Sequence, residues 1–338
     1  MNYIGIDHHR QYSHITLLDE KGEKLKSGRV SNLRSELENF LSGIEEVKAV
    51  VEAGRSSYTM VDLLDEIGID VTISHPKEVK AIVEAKIKTD KRDSWMLAHL
   101  LRTDLIPEVY KRSRENHSYQ RVLRQRAFYV GSITRVKNRI QALLSQQSED
   151  VQEEISRVKN LFGTKGMKVI RGLSLPGNQK ELLEALVKTF SHLEERRTET
   201  NGLVEKLYFE IPEARLIHTV PGFGVFLPVL TAVEIADIGR FENVRKFHSY
   251  AGVIPSTHSS GERTYHGRIV KEGNRWLRWA AVEAVWPAIR ADFDLRCYYE
   301  RLKRKKGANS AKVATAKRLL TIIYRMLKEN RPYIPYKR

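Results

Sequence analysis

The sequence predicts a mixed α/β domain at the N-terminus, a long helical middle and a mainly helical C-terminal domain. Three observations carry this reading. Residues 3–74 alternate short apolar runs with stretches of helical periodicity. Residues 111–147 and 178–210 each hold apolar side chains at helical spacing over more than thirty positions, with Leu182, Leu183, Leu186, Phe190, Leu193, Leu203 and Leu207 of the second spaced for burial. From 211 onward short apolar helices are broken by sequence rich in Gly, Ser, His and Arg.

Taken in order, residues 3–9 and 13–19 read as strands around a polar turn at His9-Arg10-Gln11, and 24–30 completes a meander. Residues 31–44 follow as a helix with Leu33, Leu37, Phe40 and Leu41 on one face and Ser31 as N-cap. A buried strand at 47–53, a helix at about 56–67, a strand at 69–74 and a helix from Pro76 complete the α/β pattern. Ile106-Pro107 breaks it, which sets a first domain at 1–106. The long helices of 107–210 turn at 162–177, where Gly163, Gly166, Gly172, Pro176 and Gly177 cluster, and predict an antiparallel hairpin or coiled coil. The third domain, 211–338, opens with Thr219-Val220-Pro221-Gly222-Phe223-Gly224 and an apolar helix at 225–236.

The chain carries 58 Lys+Arg against 42 Asp+Glu, a formal net charge of +16 over 338 residues. So basic a balance points to a polyanion, nucleic acid ahead of an anionic membrane. No apolar stretch reaches the roughly 18–20 residues of a membrane span, and no secretory leader pattern opens the chain. The expected location is the cytoplasm. A single cysteine, Cys297, excludes an intrachain disulfide framework and a cysteine-rich zinc site.

Against this basic background four carboxylates stand out. Asp7 ends the run Tyr3-Ile4-Gly5-Ile6, and Glu52 ends Val47-Lys48-Ala49-Val50-Val51. At such positions a charge gains nothing from packing and costs desolvation. Asp90 and Asp93 follow in Lys88-Thr89-Asp90-Lys91-Arg92-Asp93, an i, i+3 pair that shares one helix face. Each taken singly reads as a turn or solvated residue. Together, four carboxylates repel one another unless a cation neutralises them, and Mg²⁺ or Mn²⁺ wants oxygen ligands of this kind.

Three further segments bear on nucleic acid. Pro255-Ser256-Thr257-His258-Ser259-Ser260-Gly261 is either a polar loop before the helix from about 274 or a serine nucleophile on a flexible loop among His258, Arg263, Arg268, Lys271 and Arg275. Val220-Pro221-Gly222-Phe223-Gly224 is similar to the turn of a helix-hairpin-helix element, which holds a phosphate on backbone N–H groups. Between Lys111 and Arg139 stand nine Lys/Arg, among them Arg121, Arg124, Arg135 and Arg139, against Glu115 alone, which favours phosphate contact over a merely solvated face. The tail from Arg301 holds 13 Lys/Arg and one acid, with Tyr298, Tyr299 and Tyr324 read either as base-stacking or as core. Trp276, Trp279 and Trp286, spaced by three and seven, predict a packed helix face, and His75 and His117 read as structural.

These motifs together resemble the DEDD transposases of bacterial insertion sequences, the family that includes Piv-type invertases. Gly5-Ile6-Asp7, Val51-Glu52-Ala53-Gly54 and Lys88 to Asp93 look like its acidic tetrad. Pro221-Gly222-Phe223-Gly224, Ala251-Gly252-Val253-Ile254-Pro255, Ser260-Gly261, and Lys271-Glu272-Gly273-Asn274 with Leu277-Arg278 look like its second transposase domain. The resemblance implies an RNase H-like (RuvC-like) first domain whose Asp7, Glu52, Asp90 and Asp93 hold divalent metal. It implies that Ser260, counted from Pro255 with Ser259 adjoining, joins covalently to a DNA 5′-phosphate. Arg263, Arg268 and Lys271 are then phosphate clamps. It further implies double-stranded DNA as substrate, a guide RNA as partner in some members, and a homodimer or homotetramer joined by a coiled coil. Two other readings of the residues stand beside it: a structure-selective nuclease that uses water, and a nucleic-acid-binding protein without activity.

Overall fold

The computed structural model describes residues 1–83, 89–260, 263–270 and 272–335, and divides the chain into two compact units, Met1–Arg114 and Glu115–Arg338. Unit 1 holds strands β1 (Asn2–His8), β2 (Tyr12–Leu18), β3 (Lys24–Ser31), β4 (Val47–Glu52), β5 (Asp70–Ser74) and β6 (Glu108–Val109). Its helices are α1 (Arg34–Leu41), α2 (Ser57–Glu66), α3 (Pro76–Ile82) and α4 (Asp90–Arg102). The strands form one sheet in the order β3-β2-β1-β4-β5-β6. The first three make an antiparallel meander, and β1, β4 and β5 run parallel. The predicted mixed α/β sheet is therefore present, in an arrangement consistent with a RuvC-like domain. The unit extends past residue 106 because Val109 pairs with Ile73 and extends the sheet. Helix α1 begins later than expected: Ser31 is still in β3, and Leu33 is the N-cap.

Strand alternation sorts the side chains of this sheet onto two faces. Ile4, Ile6, Ala49 and Val51 enter the core with Leu37, Leu41, Met60 and Leu64 of α1 and α2. Val50 faces the other way, onto Leu97 and Leu100 of α4. Gly5 shares that second face, and α4 lies directly on it. A Cβ at Gly5 would stand 1.9 Å from the Ser94 carbonyl oxygen and 2.4 Å from the Ala98 nitrogen. Only glycine lets this helix and strand come so close.

Unit 2 is mostly helical. Two long helices, α5 (Arg114–Leu144) and α8 (Gly177–Glu210), are linked through α6 (Glu149–Ser156) and α7 (Thr164–Gly172). After them come α9 (Pro212–His218), α10 (Phe226–Ile235), α11 (Val244–Ala251), the strands β7 (Pro255–Ser260) and β8 (Arg263–Ile269), α12 (Arg275–Glu283), α13 (Val285–Ala291), α14 (Phe293–Lys306) and α15 (Ala308–Glu329). The link between the long helices is more than a turn. Ile133 and Ile140 of α5 and Leu183, Val187 and Phe190 of α8 share one cluster with Val151 of α6 and Ile170 of α7. Leu182 and Leu203, expected inside, are exposed.

The other ends of the same helices join the C-terminal core. Leu123 of α5 and Val204 and Leu207 of α8 pack with Ile217, Phe247, Leu277 and Leu320. Of the expected middle domain, 107–114 belong to unit 1, and the long helices after them are divided between two clusters of unit 2. Tyr299 is core, whereas Trp279 and Trp286 are exposed, against the expected packed face. His75 is structural as predicted: it is the N-cap of α3, and its Nδ1 accepts the Glu78 N–H. No described helix is long and apolar enough to cross a membrane.

Gly5→Ala should destabilise unit 1 by roughly 1–3 kcal/mol or more, the cost of overpacking a closed contact. The check is the urea midpoint of the unit 1 transition, which should fall while that of unit 2 holds.

Candidate active site

Unit 1 brings the first and third predicted carboxylates together at the N-terminal end of α4. Thr89 starts that helix by accepting the Arg92 N–H on its side chain (3.3 Å). Asp90 and Asp93 follow in the first turn, where helix N–H groups favour negative charge. Ser94 then seats the helix on the sheet. Its hydroxyl is buried and meets Thr16 Oγ1 at 2.8 Å and His14 Nδ1 at 2.9 Å. Burial pushes the His14 imidazole below the usual histidine range, against the pull of Asp90 and Asp7. Burial lowers His8 in the same direction.

Asp7 lies one residue past Ile6, which pairs with Val51, so Asp7 and Glu52 stand side by side near the ends of neighbouring parallel strands, on the α4 face. Among the described residues, the group placed to share a metal ion differs from the predicted tetrad. One ligand atom each from Asp7, His9 and Asp90 lie within 4.8 Å of one another. His9 Nε2 stands 3.1 Å from Asp90 Oδ2 and 3.5 Å from Asp7 Oδ2. Asp90 also accepts from the Tyr12 hydroxyl at 3.3 Å. Glu52 and Asp93 are not members of that group, though each has interactions of its own. Metal–oxygen distances near 2.1 Å put neighbouring ligands roughly 3 Å apart and opposite ones roughly 4 Å apart. Asp7, His9 and Asp90 fit a small divalent cation with slight adjustment. His9 was readable only as a turn residue, since nothing in the spacing shows that the β1–β2 turn curls back over Asp7.

The serine segment is a β-hairpin in place of the expected loop. Ser260 ends β7, with Arg263 opposite it across the turn. Gly261, Glu262 and Lys271 lie outside the described residues, as do the side chains of Ser260, Arg263 and Arg268. Gly252, at φ +63°, and Gly273 meet backbone to backbone: a Cβ on Gly273 would stand 2.4 Å from the Gly252 nitrogen. The motif at 251–255 and residues 273–274 of the second motif therefore join at the foot of the hairpin whose first strand carries Ser260.

A buried carboxylate holds this foot. Glu234 sits in the apolar helix α10 with its side chain 2% exposed, paired with Arg124 of α5. Asn274 Nδ2 donates to Glu234 Oε2 at 2.7 Å and to the Tyr250 hydroxyl at 3.0 Å, while Asn274 Oδ1 accepts the Trp276 and Leu277 N–H groups that open α12. Gln120 adds a 3.3 Å hydrogen bond to Glu234. The Arg124 guanidinium also stacks on Trp276 at 4.2 Å, so this predicted phosphate reader has internal partners. Arg121, Arg135 and Arg139 are exposed on α5. Glu234 was missed, though a lone acid in the apolar run 225–236 is the signal that singled out Glu52.

Comparison with known proteins agrees with both units. Residues 4–148 match a family model described as a transposase, of the DEDD type of IS110. Residues 214–300 match the Transposase IS116/IS110/IS902 family. The chain is similar to the transposase for insertion sequence element IS1111A of Coxiella burnetii, at 21% identity over 98% of this chain and 90% of that protein. It is 23% identical to a putative transposase, y4qE, of Sinorhizobium fredii, over 84% of this chain and 71% of the relative. The pilin gene-inverting protein of Moraxella bovis is 28% identical over 46% of this chain and 52% of its own length.

Glu234→Ala strands the Arg124 guanidinium and two amide donors, and should cost unit 2 about 3 kcal/mol. Glu234→Gln keeps part of the hydrogen bonding and should cost roughly 1–2 kcal/mol. Chemical denaturation of the full chain, followed by tryptophan fluorescence, checks both.

Proposed function

The chain belongs to the IS110 family of DEDD transposases, and from that premise we propose that it cuts and rejoins DNA at element ends through two half-sites. One is a divalent-metal site in unit 1, built on Asp7 and Asp90 with Glu52 and Asp93 beside them. The other is Ser260 at the tip of the β7–β8 hairpin. The observation that supports this most is the convergence of Asp7 and Asp90, from opposite ends of unit 1's sequence, where β1 meets the first turn of α4. A pure nucleic-acid binder would gain little from clustered acids beside a basic phosphate path.

Bound there, Mg²⁺ or a similar ion would polarise the scissile phosphate and neutralise charge gathering on its oxygens. Asp7 and Asp90 anchor the site, and the Tyr12 hydroxyl keeps Asp90 in place. Ser260 Oγ attacks phosphorus and gives up its proton. The Oγ–P bond forms, the P–O3′ bond breaks, and the departing 3′-oxygen takes up a proton. A 3′-hydroxyl on another strand then reverses the step and releases the serine. Arg263, Arg268 and Lys271 stand close in sequence to Ser260 and would clamp the phosphate under attack, and Arg121, Arg135 and Arg139, exposed on α5, would meet the DNA backbone. About 170 residues separate the half-sites in sequence, so completing one site with two copies is natural. A homodimer or homotetramer would join through the long helices, where Leu182 and Leu203 are exposed. Site choice by a structured RNA from the element's own ends fits the chain's excess of basic residues, and so does a cytoplasmic location.

Asp90→Ala should lower strand cleavage by roughly a hundredfold or more, the order seen when one electrostatic partner of a transition state is lost. Gel-shift affinity for element DNA should stay within about twofold. Ser260→Ala should remove the covalent protein–DNA species on a denaturing gel with end-labelled DNA. Cleavage that persists in Ser260→Ala without an adduct would favour a nuclease using water.

A further inference from the structure

His9 is the member of the acidic cluster that a magnesium site would not ask for. Its position is fixed by the turn that carries it. The His9 N–H donates to the Tyr12 carbonyl at 3.0 Å, and the His9 carbonyl accepts from Asn32 Nδ2 at 2.7 Å. Asn32 is itself tied to Ser13 at 2.7 Å and to the Gln11 carbonyl at 3.2 Å. The imidazole packs on the Tyr12 ring at 4.8 Å between centroids, and Arg29 covers that ring at 3.6 Å. These contacts aim the ring at the two carboxylates before any ligand arrives.

The ordinary account of such a histidine is an ion pair, in which an N–H donates to one of the acids. The geometry disagrees. Nε2 is a buried atom within 3.1 Å of one carboxylate and 3.5 Å of the other, yet it has no hydrogen-bond partner. A nitrogen close to two acids, and donating to neither, has the placement of a third ligand around a shared cation.

We infer that His9 is a metal ligand through Nε2, and that this nitrogen tunes the site toward a first-row ion such as Mn²⁺ over Mg²⁺. The inference rests on the proposed metal site of unit 1. Magnesium is hard and prefers an all-oxygen shell with several retained waters. Imidazole is a softer donor, and an N/O set raises affinity for first-row transition ions more than for magnesium. Asp7 and Asp90 alone would hold either ion. His9 decides between them.

The test uses the full chain without DNA and Mn²⁺ alone as probe. Free Mn²⁺ is followed by electron paramagnetic resonance, and directly bound nitrogen by electron spin-echo modulation. The native protein should bind Mn²⁺ with clear ¹⁴N coupling. His9→Gln should lose that coupling and bind Mn²⁺ about tenfold more weakly, in line with the 10–100-fold effects seen when a metal site's support is altered. Mg²⁺ affinity, read by competition, should change less than about twofold. Asp7→Asn should abolish tight Mn²⁺ binding. If Mn²⁺ binds natively in an Asp7-dependent way with no nitrogen coupling, or coupling survives in His9→Gln, the role of His9 is overturned and the metal site stands. If Mn²⁺ binding ignores Asp7→Asn, both fall. The measurement on native protein decides the point even if a variant folds poorly.

Discussion

The seat of α4 on β1 is the contact on which unit 1 depends. It needs Gly5, because any side chain there would collide with the helix backbone at Ser94 and Ala98. It needs Ser94 as well, because a hydroxyl between Thr16 and His14 satisfies the polar atoms that close approach would otherwise strand. With the helix seated, its first turn can stand only over the end of β1. Asp90 then meets Asp7 without any direct sequence link between them. The clustered negative charge is the cost of that arrangement, and a cation bound there would relieve it.

Unit 2 uses the same economy with opposite content. Its conspicuous polar group, Glu234, is neutralised inside the protein by Arg124 and by amides from Gln120 and Asn274. Removing any one partner leaves a buried charge short of hydrogen bonds, so the network fixes where the foot of the β7–β8 hairpin sits. Asn274 takes part twice, as a donor to the buried acid and as the cap of α12. Gly252 and Gly273 complete the join by letting two backbones touch.

Much of this was legible in the residues. The meander and the parallel strands follow from alternating apolar runs, because a half-buried strand must alternate. Asp7 and Glu52 stood out because each ends an apolar run with a charge, and the sheet does set them on neighbouring strand ends. His9 was not legible, since a turn's curl depends on hydrogen bonds from Asn32, more than twenty positions away. Leu182, Leu203 and Trp279 misled for a related reason. Periodicity reports which residues share a face, and says nothing of what that face meets.

By itself the sequence determined the local order of strands and helices, the basic balance, and the residue types able to hold a metal or attack phosphorus. Those are properties of nearest neighbours and of composition. Only the tertiary structure decided which acids converge, that a histidine joins them, that Arg124 turns inward to Glu234, and that a polar stretch becomes a hairpin. Each of these depends on pairs far apart in the chain, brought together by packing that the intervening residues do not encode locally.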